Sequence, residues 1–420
     1  MRKLLPVGCL AALVLCGACA GARAADPPAP DAHHLEIAIW YDGPASNLES
    51  LGALSWIFQQ HHKNVLVNLH RHATVTAYPL LMRWTTIDPG SAPDLLVISS
   101  SWLAQFKDSL VALDTAAAGA PAKKFAPAAL DLFMLDGHLR AVPWSLAARV
   151  LVVRSDLLAE KKLKAPEDWK QVAEVAAALH NPPQRYGIGL PGGENGGGAP
   201  LLQEMMWAEG DALLGPTGEV ELTGAAKVQA LQRYAELTKV AQPETLTWTQ
   251  NDLEALFVAG RLGMVITDTW AARSWQGAPD MPEFQVLPLP GGAQPVGHLL
   301  GDGLAVFSKS PERDLAVQFA QMVLLPQAQR KLVEWGGLQV HQDLLAEADK
   351  DPLLSAVLPT VPQARIIPPF QPPALNKALD YALYLVLSGR ATPAVALAAA
   401  QSALRGQAAP TTPGAPLGAG

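Results

Sequence analysis

The sequence contains very little cysteine: three residues in 420, at Cys9, Cys16 and Cys19. All three lie near the start of the chain, so the long remainder has none. A chain without cysteine cannot be stabilised by disulfide bonds and must depend on its hydrophobic core. This favours a large globular protein over a small disulfide-held module.

Positive charge is also scarce. Lysine and arginine number 31 against 38 aspartates and glutamates, which gives a net charge of −7. Because no basic tract offsets this balance, nucleic-acid binding is disfavoured. Beyond residues 1–24, no apolar run approaches the roughly 20 residues that cross a bilayer. With 50% hydrophobic residues, a chain of this length predicts two ordinary globular domains.

Residues 1–24 have the three parts of a secretory signal peptide: the basic start "MRK", an apolar stretch and the small-residue site "ARA". We expect cleavage before Ala25 and a periplasmic mature chain. A lipid anchor at Cys19 is an alternative. The letters "LCGAC" resemble a lipoprotein cleavage box, with Cys16 where a leucine usually stands.

Strand-like and helix-like segments alternate along the chain. A strand over Leu35–Asp42 precedes helical spacing from Asn47, and the strand "VLVNLH" precedes the short apolar run Ala92–Trp102. Later, Leu253–Trp275 predicts a helix that stops at Gly260 and then the strand "GMVITD". Alternation of this kind predicts an α/β fold with helices on both faces of an open sheet.

Two extended, proline-interrupted segments fit a chain that crosses between two lobes. In "GHLRAVPWSLAARVLVVRSDLL" we predict a strand, a break at Pro143 and Trp144, and a second strand; "PEDW" then predicts a helix with Pro166 in its first turn. "VLPLPGG" at 286–292 is the second crossing. Pro143 would stiffen the hinge, and Trp144 would stand where the cleft opens. Between the crossings, Tyr186–Gly198 predicts a strand that ends in a glycine-rich loop.

Between residues 35 and 406, short motifs occur in a fixed order: "IWYDG", "PDLLVISSSW", "GHLRAVPWSLAARVLVVRSDLL" with "PEDW", "LFVAGRLGMVITDTW", "VLPLPGG", "GDGLAVFSKSPERDLAVQFAQMVL", "PQAQRKL" and "ALNKALDYALYLVLSGR". Together they resemble the extracellular solute-binding proteins of bacterial ABC importers, in the sugar-binding group that includes the maltose-binding protein. The resemblance implies a two-lobed α/β periplasmic-binding-protein fold, type II-like, with discontinuous lobes joined by a hinge.

By the family's pattern, the N-terminal lobe comprises residues 33–143 plus 290–325 and the C-terminal lobe 146–286 plus 326–406, while 407–420 form a flexible tail. The implied function is capture of a sugar or oligosaccharide in the inter-lobe cleft and its delivery to an inner-membrane ABC permease. The resemblance further implies a monomer that carries out no chemistry and needs no cofactor.

A sugar presents an apolar C–H face and a set of hydroxyls, so its site needs flat aromatic rings and carboxylate or amide acceptors. Loops at the carboxyl ends of strands in an open α/β sheet meet at a crevice. Position and resemblance together give these candidate ligand contacts: Tyr41, Asp42, Trp102, Trp144, Glu194, Asn195, Trp270, Asp302 and Phe370. The alternative role of the acidic and amide residues is a turn or cap, and that of the tryptophans is core packing.

Other functions remain open from the sequence. A phosphorylated polyol or a polyamine is the alternative solute, and Arg149 is the obvious cation for a phosphate. A carbohydrate-active enzyme would need two carboxylates across the cleft, which no motif distinguishes. His61, His62, His70 and His72 look like a metal cluster, but no Asp, Glu or Cys at a ligand spacing completes it, so we predict no metal site.

Overall fold

The architecture comes from a computed structural model that describes residues 32–40, 46–73, 76–113, 125–192, 197–214, 219–243, 245–292, 296–333, 337–367 and 373–406. Its strands are β1 (His33–Trp40), β2 (Val65–His72), β3 (Leu95–Ser99), β4 (Met134–Leu135), β5 (His138–Leu139), β6 (Val142–Arg154), β7 (Met264–Asp268), β8 (Phe284–Pro288), β9 (His298–Val306) and β10 (Arg365–Ile366).

The helices of the same ranges are α1 (Ser46–His61), α2 (Ala77–Met82), α3 (Leu103–Phe106), α4 (Pro127–Asp131), α5 (Ser155–Lys161), α6 (Trp169–Leu179), α7 (Gly198–Ala208), α8 (Ala225–Leu237), α9 (Gln250–Val258), α10 (Thr269–Trp275), α11 (Arg313–Gln321), α12 (Pro326–Val333), α13 (Gln342–Leu345), α14 (Pro352–Ser355), α15 (Pro373–Leu387) and α16 (Pro393–Leu404). None of them has both the length and the apolar character needed to cross a membrane.

The main sheet combines a parallel and an antiparallel part. Its order is β2-β1-β3-β9-β6-β7, with β10 beside β9 and β8 beside β6. β1 pairs in parallel with β2 and β3, because the helices between these strands return the chain to the same end of the sheet. β9 pairs antiparallel with β3 and with β6, and β6 pairs antiparallel with β7 and β8. The two parts of the sheet therefore meet at β9.

β6 is one continuous strand of 13 residues. Its first half pairs with β9 and its second half with β7 and β8. The predicted break is therefore wrong. Pro143 and Trp144 lie inside the strand, at a β-bulge where the register with β9 shifts between Pro143 and Ser145. A bulge tolerates proline because the ladder hydrogen bonds are already interrupted there.

Buried side chains form two hydrophobic clusters, one around Phe133 and one around Tyr234. Val150 of β6 belongs to the first cluster and its neighbour Leu151 to the second, since successive side chains of a strand face opposite sides. The second half of β6 therefore has one cluster on each of its two faces. Leu338, which lies in the segment 326–406 predicted for the C-terminal lobe, packs in the first cluster. The lobe boundaries stay a prediction.

Local sequence decides where several helices begin and end. Asp168 caps α6 by accepting a first-turn N–H at 2.8 Å, so Pro166 precedes the helix and does not lie in its first turn as predicted. Thr249 and Asp252 form a capping box at the start of α9. The predicted stop at Gly260 is confirmed, and its φ of +73° suits glycine.

The described part of the segment predicted as a strand after Tyr186 makes only isolated bridges, at Tyr186 and Gly189. A Cβ atom at Gly187 would lie 2.1 Å from the carbonyl oxygen of Ala176. The segment is therefore pressed against α6 and does not extend a ladder. The strand prediction is wrong at this place.

Candidate functional site

A set of polar side chains crosses the sheet near the middle of β6, where the partners of this strand change from β9 to β7 and β8. At its centre, Asp302 of β9 pairs with Ser99 of β3 on one side and with Ser145 of β6 on the other. Directly paired residues of an antiparallel ladder project from the same face. The three side chains therefore lie next to one another on one face of the sheet.

The set of polar side chains continues along β6 and onto β7. Arg149 stands four residues beyond Ser145 on β6 and pairs with Asp268 at the end of β7. Because residues an even number apart in a strand share a face, Arg149 and Asp268 project from the same face as Ser145 and Asp302. We call Ser99, Asp302, Ser145, Arg149 and Asp268 the polar row.

The two glycines of "GDG" explain how Asp302 is oriented. A Cβ on Gly303 would lie 2.8 Å from a ring carbon of Phe133, and a Cβ on Gly301 would lie 2.9 Å from Leu132. Both glycines thus leave room for core side chains on the opposite face. Asp302 lies in the middle of β9, so the turn or capping role considered for it is wrong.

The electrostatics of the row centre on Asp302. Burial, together with the negative charge of Asp268, raises the pKa of Asp302 to about 7. Burial also raises the pKa of Asp268. Two effects oppose this rise: the hydrogen bond that its carboxylate accepts from the N–H of Ala271 at 3.0 Å, and the positive charge of Arg149. Within the described part of the chain, no cation shifts the pKa of Asp302. Its carboxylate is therefore electrostatically uncompensated there.

Arg149 is already engaged by a buried carboxylate. Its Nε donates to Oε1 of Glu204 on α7 at 3.0 Å, and Nδ1 of His298 lies 2.6 Å from the same oxygen. A carboxylate oxygen can only accept, so Nδ1 of His298 must carry a hydrogen. Burial alone would raise the pKa of Glu204, but the charge of Arg149 and the contact with His298 hold it below its usual value. Glu204 is therefore ionised and neutralises Arg149.

Several buried polar atoms around the row have no hydrogen-bond partner in the ranges that the structure describes. They are Oγ of Ser145, Oε2 of Glu204 and Nε2 of His298. A buried polar group without a partner costs free energy, and in native proteins such groups are usually satisfied by protein, water or ligand. These atoms therefore leave hydrogen-bonding capacity unused beside the row.

Two of the predicted tryptophans follow the outer ends of the row. Trp102 comes three residues after Ser99, and Trp270 comes two residues after Asp268, in the first turn of α10. Both side chains are half-buried. Trp102 is also in edge contact with Tyr78, with ring centroids 6.4 Å apart. Both rings keep some surface that a ligand could cover.

Trp144 does not open toward the row. It is 1% exposed and packs in the first hydrophobic cluster, and its carbonyl oxygen accepts a hydrogen bond from Nε2 of Gln329 at 3.2 Å. Since Ser145 projects into the row, its neighbour in the strand faces the other way. The prediction that Trp144 stands at the mouth of a cleft is therefore wrong, and its role is packing.

The remaining predicted contacts lie outside the described residues: Tyr41, Asp42, Glu194, Asn195 and Phe370. They stay predictions. The structure adds residues that the sequence analysis missed: Ser99, Ser145, Glu204, Asp268 and His298. Asp268 ends the apolar strand "MVITD", so the strand-end rule could have found it. The others become recognisable only through strand register.

The described residues contain no group of three or more His, Cys, Asp or Glu side chains placed to hold a metal ion. Two of the histidines considered have other partners. His70 hydrogen-bonds to Glu36 on the neighbouring strand, and Nδ1 of His61 lies 3.0 Å from the carbonyl oxygen of Ile57.

A separate pocket of about 230 Å³ lies in the first core, between Trp84 and Phe307, with Asp108 and Lys309 on its rim. None of the residues that line it belongs to the polar row. Of its lining residues, Trp84 and Phe307 belong to the first cluster and none belongs to the second. The polar row is therefore the stronger candidate site.

Comparisons with known proteins identify the family of the chain. The family model described as "Bacterial extracellular solute-binding protein" matches residues 84–349. A binding protein of Brucella abortus is 26% identical over 247 residues, which cover 56% of this chain and 60% of the relative. The lactose-binding protein of Rhizobium radiobacter is 24% identical over 304 residues, 68% of this chain and 69% of the relative. The chain thus spans about three fifths of the first of these relatives.

Solved structures show the same architecture. A solute-binding protein of an ABC transporter from Thermotoga lettingae, bound with α-D-tagatose, has a TM-score of 0.78 at 20% identity. The alignment covers 89% of this chain and 99% of that structure. At this identity the likeness establishes the fold, and the two-lobed α/β fold predicted from the sequence is confirmed.

Proposed function

Because the chain belongs to the bacterial extracellular solute-binding proteins, we propose that it binds a sugar or oligosaccharide in the periplasm and delivers it to an inner-membrane ABC permease. The polar row carries this proposal. It places carboxylates and hydroxyls on one face of the sheet, with half-buried tryptophans beyond both ends. Lactose and tagatose, named for two of the relatives, present the hydroxyls and C–H faces that such groups bind.

The proposed mechanism is closure of two lobes about a hinge. β6 pairs with β9 of one proposed lobe and with β7 and β8 of the other, and bending along it and the other crossing segments would open or close the cleft. The lobes we propose are residues 33–143 plus 290–325 and residues 146–286 plus 326–406. Ligand contacts from both lobes exist together only in the closed form. The solute therefore shifts the open–closed equilibrium by its differential affinity for the two forms.

Each proposed contact has a distinct role. Asp302 accepts hydrogen bonds from ligand hydroxyls, and such charge-assisted bonds are stronger than neutral ones. Trp102 and Trp270 cover apolar faces of the sugar rings. The further contacts proposed from the sequence are Tyr41, Asp42, Glu194, Asn195 and Phe370.

A phosphorylated solute is disfavoured by the state of Arg149. Its side chain is 10% exposed and paired with Glu204. A phosphate would have to displace that carboxylate and leave it buried without a cation, at a cost of several kcal/mol. The other groups of the polar row are two hydroxyls and two carboxylates, none of which carries a positive charge.

The relatives reported above are binding proteins, and the proposed function includes no reaction. An enzyme acting on glycosidic bonds would use two carboxylates as acid and base, and Asp268 and Asp302 are the two in the row. Purified protein incubated with oligosaccharides should therefore release no shorter product. Turnover that disappears in Asp302→Asn would overturn the proposal.

The test is a thermal-shift panel of monosaccharides, oligosaccharides and polyols, with putrescine and a sugar phosphate as the non-sugar arms. A ligand that binds only the folded state raises Tm, because it stabilises that state. The added stability is about 2.7 kcal/mol when the ligand concentration is a hundred times Kd. We expect at least one neutral or amino saccharide to raise Tm. A rise only with putrescine or only with the phosphate ester would refute the sugar assignment.

A further inference from the structure

The polar row carries more negative charge than a neutral sugar requires. Asp268 and Asp302 both face the site, and Asp268 is the charged group that shifts the pKa of Asp302 within the described residues. Arg149, the one cation of the row, is neutralised by Glu204 at 3.0 Å. The described part of the site therefore has unbalanced negative charge in a partly buried place.

A second observation lies next to this charge. Ser145 is the direct cross-strand partner of Asp302 and projects from the same face. It is 4% exposed, and its Oγ has no hydrogen-bond partner among the described residues. A hydroxyl without a hydrogen-bond partner, beside a carboxylate without a nearby cation, can accept a hydrogen bond from a ligand group that has several N–H or O–H donors. An ammonium group has three N–H donors and no acceptor.

Desolvation favours such a group over a hydroxyl. A carboxylate that loses water without gaining a cation is costly to keep ionised. A neutral hydroxyl supplies a single hydrogen bond, whereas an ammonium supplies hydrogen bonds and the missing positive charge. The gain is largest where two carboxylates repel each other, as Asp268 and Asp302 do.

We propose that Asp302, Asp268 and Ser145 form an acidic subsite that selects a sugar or polyol bearing a protonated amine over its neutral counterpart. This inference rests on the proposed function, because it concerns the solute of the same site.

The selection depends on pH in a defined direction. Asp302 gains negative charge as the pH rises through about 7, whereas an alkylamine keeps its proton to about pH 9. The charged groups that act on this part of the row are Asp268 of β7, Arg149 of β6, Glu204 of α7 and Glu254 of α9, together with the imidazole of His298 on β9. The preference for the amine therefore strengthens between about pH 6 and about pH 8.

Matched ligand pairs test the proposal: D-glucamine with D-glucitol, D-glucosamine with D-glucose, and D-galactosamine with D-galactose. Thermal shift and calorimetry on the purified protein at about pH 7.5 should show at least one amine bound about tenfold more tightly than its neutral partner, a difference of about 1.4 kcal/mol. For D-glucamine this ratio should grow from about pH 6 to about pH 8.

Asp302→Asn should bring the affinities of each pair together, while Asp108→Asn, which removes an exposed carboxylate outside the row, should keep the difference. The pH profile of the unaltered protein tests the same point if the Asn variant does not fold. Binding of the neutral members alone overturns the inference and leaves the proposed function standing. A failure of all three amines to bind overturns it as well, and the wider saccharide panel then decides the proposed function separately.

Discussion

Arg149 and Glu204 form a buried ion pair in which Nε lies 3.0 Å from Oε1, and the two side chains are 10% and 1% exposed. Arg149 belongs to β6, and Glu204 belongs to α7, which packs in the second cluster. The pair attaches the crossing strand to one core and removes the only cation of the polar row from the ligand.

Glu204→Gln should destabilise the protein by about 3–5 kcal/mol, because Arg149 would remain buried without its counterion. Urea unfolding followed by tryptophan fluorescence measures this. Glu347→Gln is the matched control: its partner Arg330 is 55% exposed, and an exposed pair contributes roughly 0–1 kcal/mol. Equal losses of stability in the two variants would show that the buried ion pair stabilises the protein no more than the exposed one does.

Asp302→Asn should stabilise the free protein at about pH 8 and change it little at about pH 4. The folded-state pKa of about 7 lies above the ordinary aspartate value of 3.8, so the native state binds the proton more tightly than the unfolded state. The stability of the unaltered protein then falls as pH rises between these two values and stays constant above them. The total loss is at most about 4 kcal/mol, and the Asp302→Asn variant does not undergo it because asparagine has no proton to lose in this range. Tm measured across this range for both proteins checks the prediction, and a gain independent of pH contradicts it.

Trp144→Ala and Trp270→Ala should separate packing from binding. The first removes a side chain that is 1% exposed and should cost about 3–5 kcal/mol of stability. The second removes a half-buried side chain at the start of α10 and should cost much less, while it weakens solute binding through lost ring contact. Denaturant midpoints and calorimetry with the solute found in the panel distinguish the two. A larger binding loss in Trp144→Ala, at unchanged stability, would contradict the assignment.

Gly303→Ala should destabilise the first core, because the new methyl group would lie 2.8 Å from Phe133. Overpacking of this kind costs about 1–3 kcal/mol. Gly52→Ala in α1 is the control, since nothing lies within 4 Å of its Cβ position and alanine favours a helix by about 1 kcal/mol. Trimming the ring with Phe133→Leu in the Gly303→Ala background should recover part of the loss; no recovery would place the strain elsewhere.

Sequence patterns predicted the elements whose causes are local. The helix over α9 and its end at Gly260 follow from side-chain spacing and from the freedom of glycine at positive φ. The strand "MVITD" follows from its apolar run. The order of short motifs predicted the two-lobed fold over nearly the whole described chain. The helix, its end and the strand depend on residues close together in the sequence, which is why local patterns predicted them. The two-lobed fold was instead implied by the resemblance of the ordered motifs to a known family.

The tertiary structure alone decided which polar groups meet. The sequence left Asp302 as a ligand contact or a turn residue, yet its flanking glycines accommodate Leu132 and Phe133 on the far side of a strand. Trp144 looked like a cleft residue because of the proline before it, but β6 runs through that position and turns its ring into the core. Burial and strand register join residues more than a hundred positions apart. No local pattern contains that information, so the neighbourhood of Asp302 and Ser145 emerges only when the sheet is assembled.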